Sequence, residues 1–178
     1  MIKTAPITVM KAGTVHNGKY LVLIGGSVGS VEEAYRAGSL MDPEALLDRV
    51  LLPRVHHQVR DGILGCRQTA PGPALGILET ATAAACVRAA DPAVKGAEVT
   101  LTEIRLADDL GGKAFALFSG DLFAVETALN LALGTDPQKQ FALRPSIIPQ
   151  LHPELSEQVT HSSWFGRQPL TLLREGEL

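Results

Sequence analysis

Apolar and polar positions along the chain fall into two series of the same kind, one in each half. Ile7 to Lys11 alternates apolar and polar residues, the period of a half-buried strand. Lys19 to Ile24 is a more continuous apolar run and reads as a second strand. The polar, glycine-containing stretch Ala12 to Gly18 between them predicts an antiparallel hairpin. Gly25-Gly26 ends the second strand. Ser27 or Ser30 can cap the helix that follows, Glu32 and Glu33 suit its positive end, and Gly38 is its expected stop. Asp42-Pro43 predicts entry to another helix reaching Arg49. Leu51-Leu52 is then a short strand broken by Pro53, and Val55 to Ile63 closes the series as a helix or loop.

Arg67 to Pro73 carries two prolines and a glycine and reads as a linker. The second series is a strand (Ala74 to Glu79), an alanine-rich helix (Thr80 to Ala90) and two strands (Val99 to Leu106, Lys113 to Phe118). A helix (Leu122 to Leu133) and a last strand (Ser146 to Ile148) complete it. Four short strands with two or three helices predict an α+β unit, an antiparallel sheet covered by helices on one face.

The two series match residue by residue. Lys3-Thr4-Ala5-Pro6-Ile7-Thr8-Val9 returns as Lys95-Gly96-Ala97-Glu98-Val99-Thr100-Leu101, and Gly18-Lys19-Tyr20 as Gly112-Lys113-Ala114. Gly26 to Glu32 returns as Gly120 to Glu126, and Leu52-Pro53-Arg54-Val55-His56 as Ile148-Pro149-Gln150-Leu151-His152. The offset drifts only from 92 to 96, which predicts a tandem duplication and an assembly with pseudo-symmetry. The strand and alanine-rich helix at 74–90 have no counterpart in the first copy, whose series starts inside that helix. Pro169 to Glu175 in the tail loosely echoes Ala74 to Thr80, as a displaced strand would.

With 178 residues the chain suits one large or two small domains. Aromatics make up 4% of it, so Ala, Leu and Val supply the apolar content and favour close packing and shared interfaces. The net charge of −3, with no basic run, carries no electrostatic footprint for nucleic acid. No apolar run approaches the roughly 20 residues that span a bilayer, and Met1-Ile2-Lys3 leads into repeat sequence rather than a signal peptide. Cys66 and Cys86 lack metal-type spacing and fit a cytosolic protein, with Cys86 a buried thiol on the alanine-rich helix.

The order strand, alanine-rich helix, hairpin, Gly-Asp, helix, strand-Pro resembles a bacterial microcompartment shell domain. Leu75 to Thr80, Ala89-Ala90-Asp91 with Lys95 and Ala97, Gly111-Gly112-Lys113 and Ser119-Gly120-Asp121 carry the resemblance. Two such units in one chain resemble the tandem, trimer-forming shell proteins. Val50 to Pro53 with His56, and Ile147 to Pro149 with His152, are most similar to the propanediol-utilisation type that holds an iron–sulfur cluster. The resemblance implies domains at 1–66 (lacking its first strand and helix) and 74–158, a linker at 67–73 and a tail at 159–178. It implies a structural, non-catalytic tile in a cytoplasmic microcompartment shell, a homotrimer of pseudo-hexagonal outline. The implied partners are itself, other shell proteins, encapsulated enzymes and small metabolites passing a central pore, with neither nucleic acid nor membrane.

On that resemblance the hairpin loops line the pore: Gly13, Thr14, Val15, His16, Asn17 and Gly18 from one copy, Asp108, Asp109, Leu110 and Gly111 from the other. Lys3 and Lys95 fall where the family has its tile-edge lysine. The loop cysteine of the iron–sulfur type is replaced by His16, so no cofactor is expected. Three His16 imidazoles around one axis could instead hold a divalent ion such as zinc, against the plainer reading of a polar pore lining. The loop glycines could present N–H groups to an anion, but their plainer role is tight turning, and Asp108 and Asp109 oppose an anion.

Gly25 to Ser30 follows a strand and opens a helix, as a phosphate loop does, but it lacks the Lys-Ser/Thr ending and reads as a helix-entry turn. It keeps open a third function, a ferredoxin-like ligand-binding regulatory oligomer. His56, His57 and His152 have no repeated acidic or thiol partner and read as packing or capping residues. His161 with Ser162 and Ser163 makes a poor nucleophile–base site, so no catalytic residue is assigned.

Overall fold

A computed structural model describes residues 1–70, 72–107 and 109–164. Copy one begins with the hairpin β1 (Thr8–Val15) and β2 (Lys19–Gly25), followed by α1 (Val28–Met41) and α2 (His57–Ile63). Copy two contains β3 (Ala74–Thr80), α3 (Ala83–Gly96), β4 (Thr100–Leu106), β5 (Ala114–Gly120), α4 (Leu122–Leu133), β6 (Arg144–Ile148) and α5 (Pro153–His161). Its four strands form an antiparallel sheet in the order β4-β5-β3-β6, while β1 and β2 form a separate two-stranded sheet. The expected α+β class and the duplicated unit are therefore present.

One core dominates. Ala74, Leu78, Ala116 and Phe118 face α3 and α4, whose Ala89, Ala90, Ala93, Val125, Ala128 and Leu129 fill the space between. Small side chains let the helices lie close to each other and to the sheet. Thr82 caps α3 by accepting the Ala85 N–H at 3.0 Å. The helix runs past the expected end at Ala90 and through Pro92 to Gly96. Burial of Ala93 and Val94 outweighs the backbone hydrogen bond that Pro92 cannot make. The other face of the sheet is not bare, as the one-face expectation had it. Leu75 and Leu117, with Ile77 and Phe115, pack there against Leu151 and Val159 from the chain around α5.

Copy one departs from expectation at four places. The hairpin loop is shorter than Ala12 to Gly18, because Ala12, Gly13, Thr14 and Val15 pair with β2 and only His16, Asn17 and Gly18 turn. Gly38 does not stop α1; the Met1 side chain lies where its Cβ would be, so this glycine serves packing. No helix forms over Pro43 to Arg49. Asp42 accepts the Ala45 N–H in a single turn, then Asp48 is drawn to Arg88 at 2.5 Å and to the Thr82 hydroxyl. The Arg49 carbonyl also accepts from Arg88, which holds this stretch along the start of α3. Leu51-Leu52 forms no strand. Its counterpart β6 pairs with β3, and among the described residues copy one has no counterpart of β3. Met1 to Ala5 makes one helical turn, with the Ala5 N–H on the Met1 carbonyl at 3.3 Å. The Pro169–Glu175 echo lies outside the described residues.

The linker reading also changes. Residues 67–70 lie on the outer edge of β4, where the Gln68 N–H reaches the Thr102 carbonyl at 3.0 Å. α2 sits beside them on β4 and α3, with Val59 fully buried. Gln58 accepts the Leu101 N–H at 2.6 Å and donates to the Val99 carbonyl at 3.4 Å. Arg67 pairs with the buried Glu103 and donates to the Val159 carbonyl. Ser163 donates to Glu103 at 2.9 Å, and Arg105 lies over the Trp164 ring at 3.9 Å. Copy one, copy two and the segment after α5 thus converge on one strand.

α4 lies close on the sheet at Gly76, where an added Cβ would lie 2.7 Å from a Val125 methyl. Gly76→Ala should lower stability by about 1–3 kcal/mol through overpacking. Urea denaturation should show a lower midpoint with an unchanged slope.

Candidate functional site

The Val15–Lys19 pair closes a three-residue turn at the tip of the first hairpin. Asn17 and Gly18 take φ of 63° and 69°, the left-handed region that Asn and Gly enter at least cost. Between β4 and β5 the loop is longer, and Ala107, Asp109, Gly111 and Gly112 all have positive φ. Two of these are neither Gly nor Asn, so the loop holds backbone strain on the order of 1–2 kcal/mol each. The bond from the Ala107 N–H to the Lys113 carbonyl, 2.9 Å, holds its neck closed.

The tips of the two copies meet. The Asp109 N–H donates to His16 Nδ1 at 3.2 Å, and Asn17 Nδ2 donates to the Gly111 carbonyl at 3.2 Å. Lys19 Nζ reaches that same carbonyl at 3.5 Å. Because Nδ1 accepts, neutral His16 carries its proton on Nε2, which lies 3.6 Å from Asp109 Oδ1. His16 and Asp109 are both more than half exposed, so this is a solvated polar junction rather than a buried catalytic pair.

Of the residues expected at a pore, His16, Asn17, Gly18, Asp109, Leu110 and Gly111 belong to this junction. Gly13, Thr14 and Val15 instead lie on β1. Asp108 lies outside the described residues. Among the described residues no group of three His, Cys, Asp or Glu side chains could hold a metal ion. At the hairpin tips, among the described residues, one chain brings His16 and Asp109 together. The residues present do not fit an iron–sulfur cluster. The loop offers an imidazole, Cys66 lies beyond α2, and Cys86 is fully buried with its thiol pushed up to about 12 by burial.

Lys95 is not a free rim lysine. Its Nζ donates to the Arg54 carbonyl at 2.6 Å and pairs with the buried Asp91 carboxylate, although 42% of its side chain stays exposed. Asp91 also accepts the His56 N–H at 2.8 Å, so this carboxylate joins the copies. Lys3 is exposed. The Gly25 to Ser30 stretch is a helix entry in which Ser27 accepts the Ser30 N–H. Ser163 is engaged by Glu103 and Arg105 rather than by a base. The capping reading of His56 and His152 is correct: each Nδ1 accepts an N–H two residues on, at 3.4 Å. The contacts of Gln58 with Val99, of Asp48 with Arg88 and of Asp91 with His56 gave no signal in the sequence, because each joins residues more than 30 positions apart.

Within one chain, then, the hairpin tips of two copies of one α+β unit meet in a solvated polar junction. Comparison with known proteins agrees. The family model described as BMC domain matches residues 1–55 and again 74–150, and the chain belongs to that family. It is 34% identical over 159 residues to the bacterial microcompartment shell protein PduT of Citrobacter freundii, covering 89% of this chain and 86% of that protein. It is also similar to a crystal structure of a microcompartments protein from Desulfitobacterium hafniense DCB. There the identity is 35% and the TM-score 0.75, over 88% of this chain and 87% of the other. A fused, permuted hexameric shell protein from the RMM microcompartment shares the fold at 23% identity, with TM-score 0.54 over 78% and 72% of the two chains. The chain is a structural, shell-type protein and not an enzyme. No helix among the described residues is long and apolar enough to cross a membrane.

The contact of His56 with Asp91 carries one titration with a clear direction. Burial, His57 and Lys95 lower the His56 pKa below its usual 6.5, and Asp91 only partly opposes them. The unfolded chain therefore binds the proton more readily, so this contribution is complete above pH 6.5 and is lost as pH falls below it. The melting temperature should drop between pH 7.5 and 5.5. His56→Asn, which keeps a capping side chain, should flatten part of that drop.

Proposed function

We propose that this protein is a shell tile in which three chains close into a ring of pseudo-hexagonal outline with a central opening. The observation that carries this reading is the meeting of the two hairpin tips in one chain, at His16–Asp109 and Asn17–Gly111. Three such pairs would surround an axis with six loops of similar build. His16, Asn17, Gly18, Asp109, Leu110 and Gly111 would line the opening, with Asp108 beside them. Gly13, Thr14 and Val15 would form its wall from β1. Small metabolites are the cargo suited to such a polar passage. Other shell proteins and encapsulated enzymes are its proposed partners, and the shell within the cytoplasm its place.

We propose the division into copies at 1–66 and 74–158, the linker at 67–73 and the tail at 159–178; the two family matches at 1–55 and 74–150 support it. The half-exposed Lys95 and the exposed Lys3 are proposed to face the rim where tiles abut, their long stems covering apolar surface. Sedimentation velocity at micromolar concentration should show a trimer, or two stacked trimers, and electron microscopy should show sheets. A protein that stays monomeric would remove the ring. Lys95→Ala should reduce sheet formation and, because Asp91 loses a partner, should also lower the melting temperature.

A second reading rests on His16 Nε2, which faces solvent with the Asp109 carboxylate beside it. Three chains could hold one divalent ion on these nitrogens. Protein purified without oxygen should contain no stoichiometric iron and sulfide. Zinc bound at one per three chains, and lost in His16→Ala, would support the metal site; a zinc-free trimer in added zinc would dismiss it.

A further inference from the structure

In copy two, β3 lies between β5 and β6, with Leu75 to Thr80 paired to Ser119 to Ala114 of β5. β2 is the repeat of β5, with Tyr20 at the place of Ala114 and Ile24 at the place of Phe118. Leu51-Leu52 is the repeat of Ile147-Ile148 on β6. Copy one thus keeps the sequences that flank β3. Among the described residues, however, β2 pairs with β1 alone, and its second edge has no strand beside it.

That edge is apolar. Tyr20 is 65% and Val22 45% exposed, whereas Ala114 and Ala116 at the matching places are buried. Leu78, which stands opposite Ala116 on β3, is fully buried as well. α4 packs on β3, β5 and β6, but α1, its repeat, has no comparable packing on β1 or β2. What Val22 and α1 lack is the middle strand.

The chain holds a second sequence of the β3 type. Pro169 to Glu175 has the length of Ala74 to Thr80, with Leu170, Leu172 and Leu173 at the places of Leu75, Ile77 and Leu78. Pro169, which has no N–H to give a ladder, would be the first residue of such a strand, where proline is tolerated. The last described residues lie beside copy one. Ser163 is held by Glu103, and Trp164 by Arg105, on the strand whose outer edge residues 67–70 cover. The six residues from Trp164 to Leu170 reach about 20 Å when extended.

We propose that Pro169 to Glu175 seats as a strand on the open edge of β2 in the same chain, antiparallel to it, where β3 lies beside β5. The register carried over from copy two places Leu170 opposite Gly25, Leu172 opposite Leu23 and Leu173 opposite Val22. Leu173 would then cover Val22 as Leu78 covers Ala116. Two contacts of copy two are not repeated. Thr171 stands at the place of Gly76, where Val125 leaves no room for a Cβ, so α1 would lie farther from its sheet than α4 does. Arg174 stands at the place of Glu79, so the ion pair of Glu79 with Lys113 has no equivalent at Lys19. This strand would close copy one from within the chain and does not depend on the ring.

Full-length variants in a Cys66→Ser background test it. Opposed pairs along an antiparallel ladder alternate between a close and a wide class, so two neighbouring pairs are used. They are Leu23→Cys with Leu172→Cys, and Val22→Cys with Leu173→Cys. After mild oxidation at least one pair should run as a faster monomer band on a non-reducing gel, and no single variant should. Hydrogen exchange read by mass spectrometry should find the β2 amides that do not bond to β1 protected in the parent. They should lose that protection in Leu173→Asp. Covalent dimers in place of the fast monomer assign the strand to a second copy and overturn the proposal. Protected β2 amides with no cross-link in either pair show that another segment covers the edge, and β2 amides unprotected in the parent show that nothing does; both overturn it.

Discussion

A strand at the edge of a sheet has a row of N–H and C=O groups that must be paired, covered or left in water. In this chain the outer edge of β4 is covered by segments that precede the sheet in sequence. Gln58 matches its amide to one donor and one acceptor of the strand, and Gln68 pairs with Thr102 further along. That requirement draws α2 away from its own hairpin and onto copy two, where Val59 enters the core. It also brings His56 and Arg54 to the end of α3, where Asp91 and Lys95 receive them. With the exit from copy one fixed there, the first hairpin tip lies beside the loop that follows β4.

The copies share a ladder but not a set of side chains. Tyr20 and Val22 on β2 match Ala114 and Ala116 on β5, and the burial is opposite. The alanines lie fully covered beneath the helices of copy two. Tyr20 and Val22 are largely exposed, and both are larger. A duplicated unit thus holds two different surfaces, one closed and one open.

The chemistry of the hairpin tips follows from exposure. His16, Asp109 and Lys19 are within reach of one another through side chains or the Gly111 carbonyl, yet water reaches the group. Solvated charges at such distances interact by about 1 kcal/mol. Exposed in this way, they cannot form the dry, preorganised environment that catalysis needs. The buried carboxylates, Asp48, Asp91 and Glu103, lie instead at the junctions between segments, each with a cation beside it. Their role is to fix position.

Elements whose signals are local were legible in the sequence. Both hairpins, α4 and the strand Ala74 to Glu79 follow from periodicity and turn residues, and the duplication follows from matched spacings. The resemblance carried by Leu75 to Thr80 and Asp91 to Ala97 pointed to the family. At the candidate site, His16 and Asp109 were legible as loop residues, but their contact was not. Only the tertiary structure decided whether a local preference was realised. Leu51-Leu52 has the composition of a strand and, among the described residues, no strand to pair with. Pro43 to Arg49 has a helix entry, yet Asp48 finds stronger partners in Thr82 and Arg88. Gly38 has the composition of a stop but accommodates Met1. In each case the deciding partner is remote in sequence, and its hydrogen bond, ion pair or packing contact outweighs a preference worth about 1 kcal/mol or less per residue.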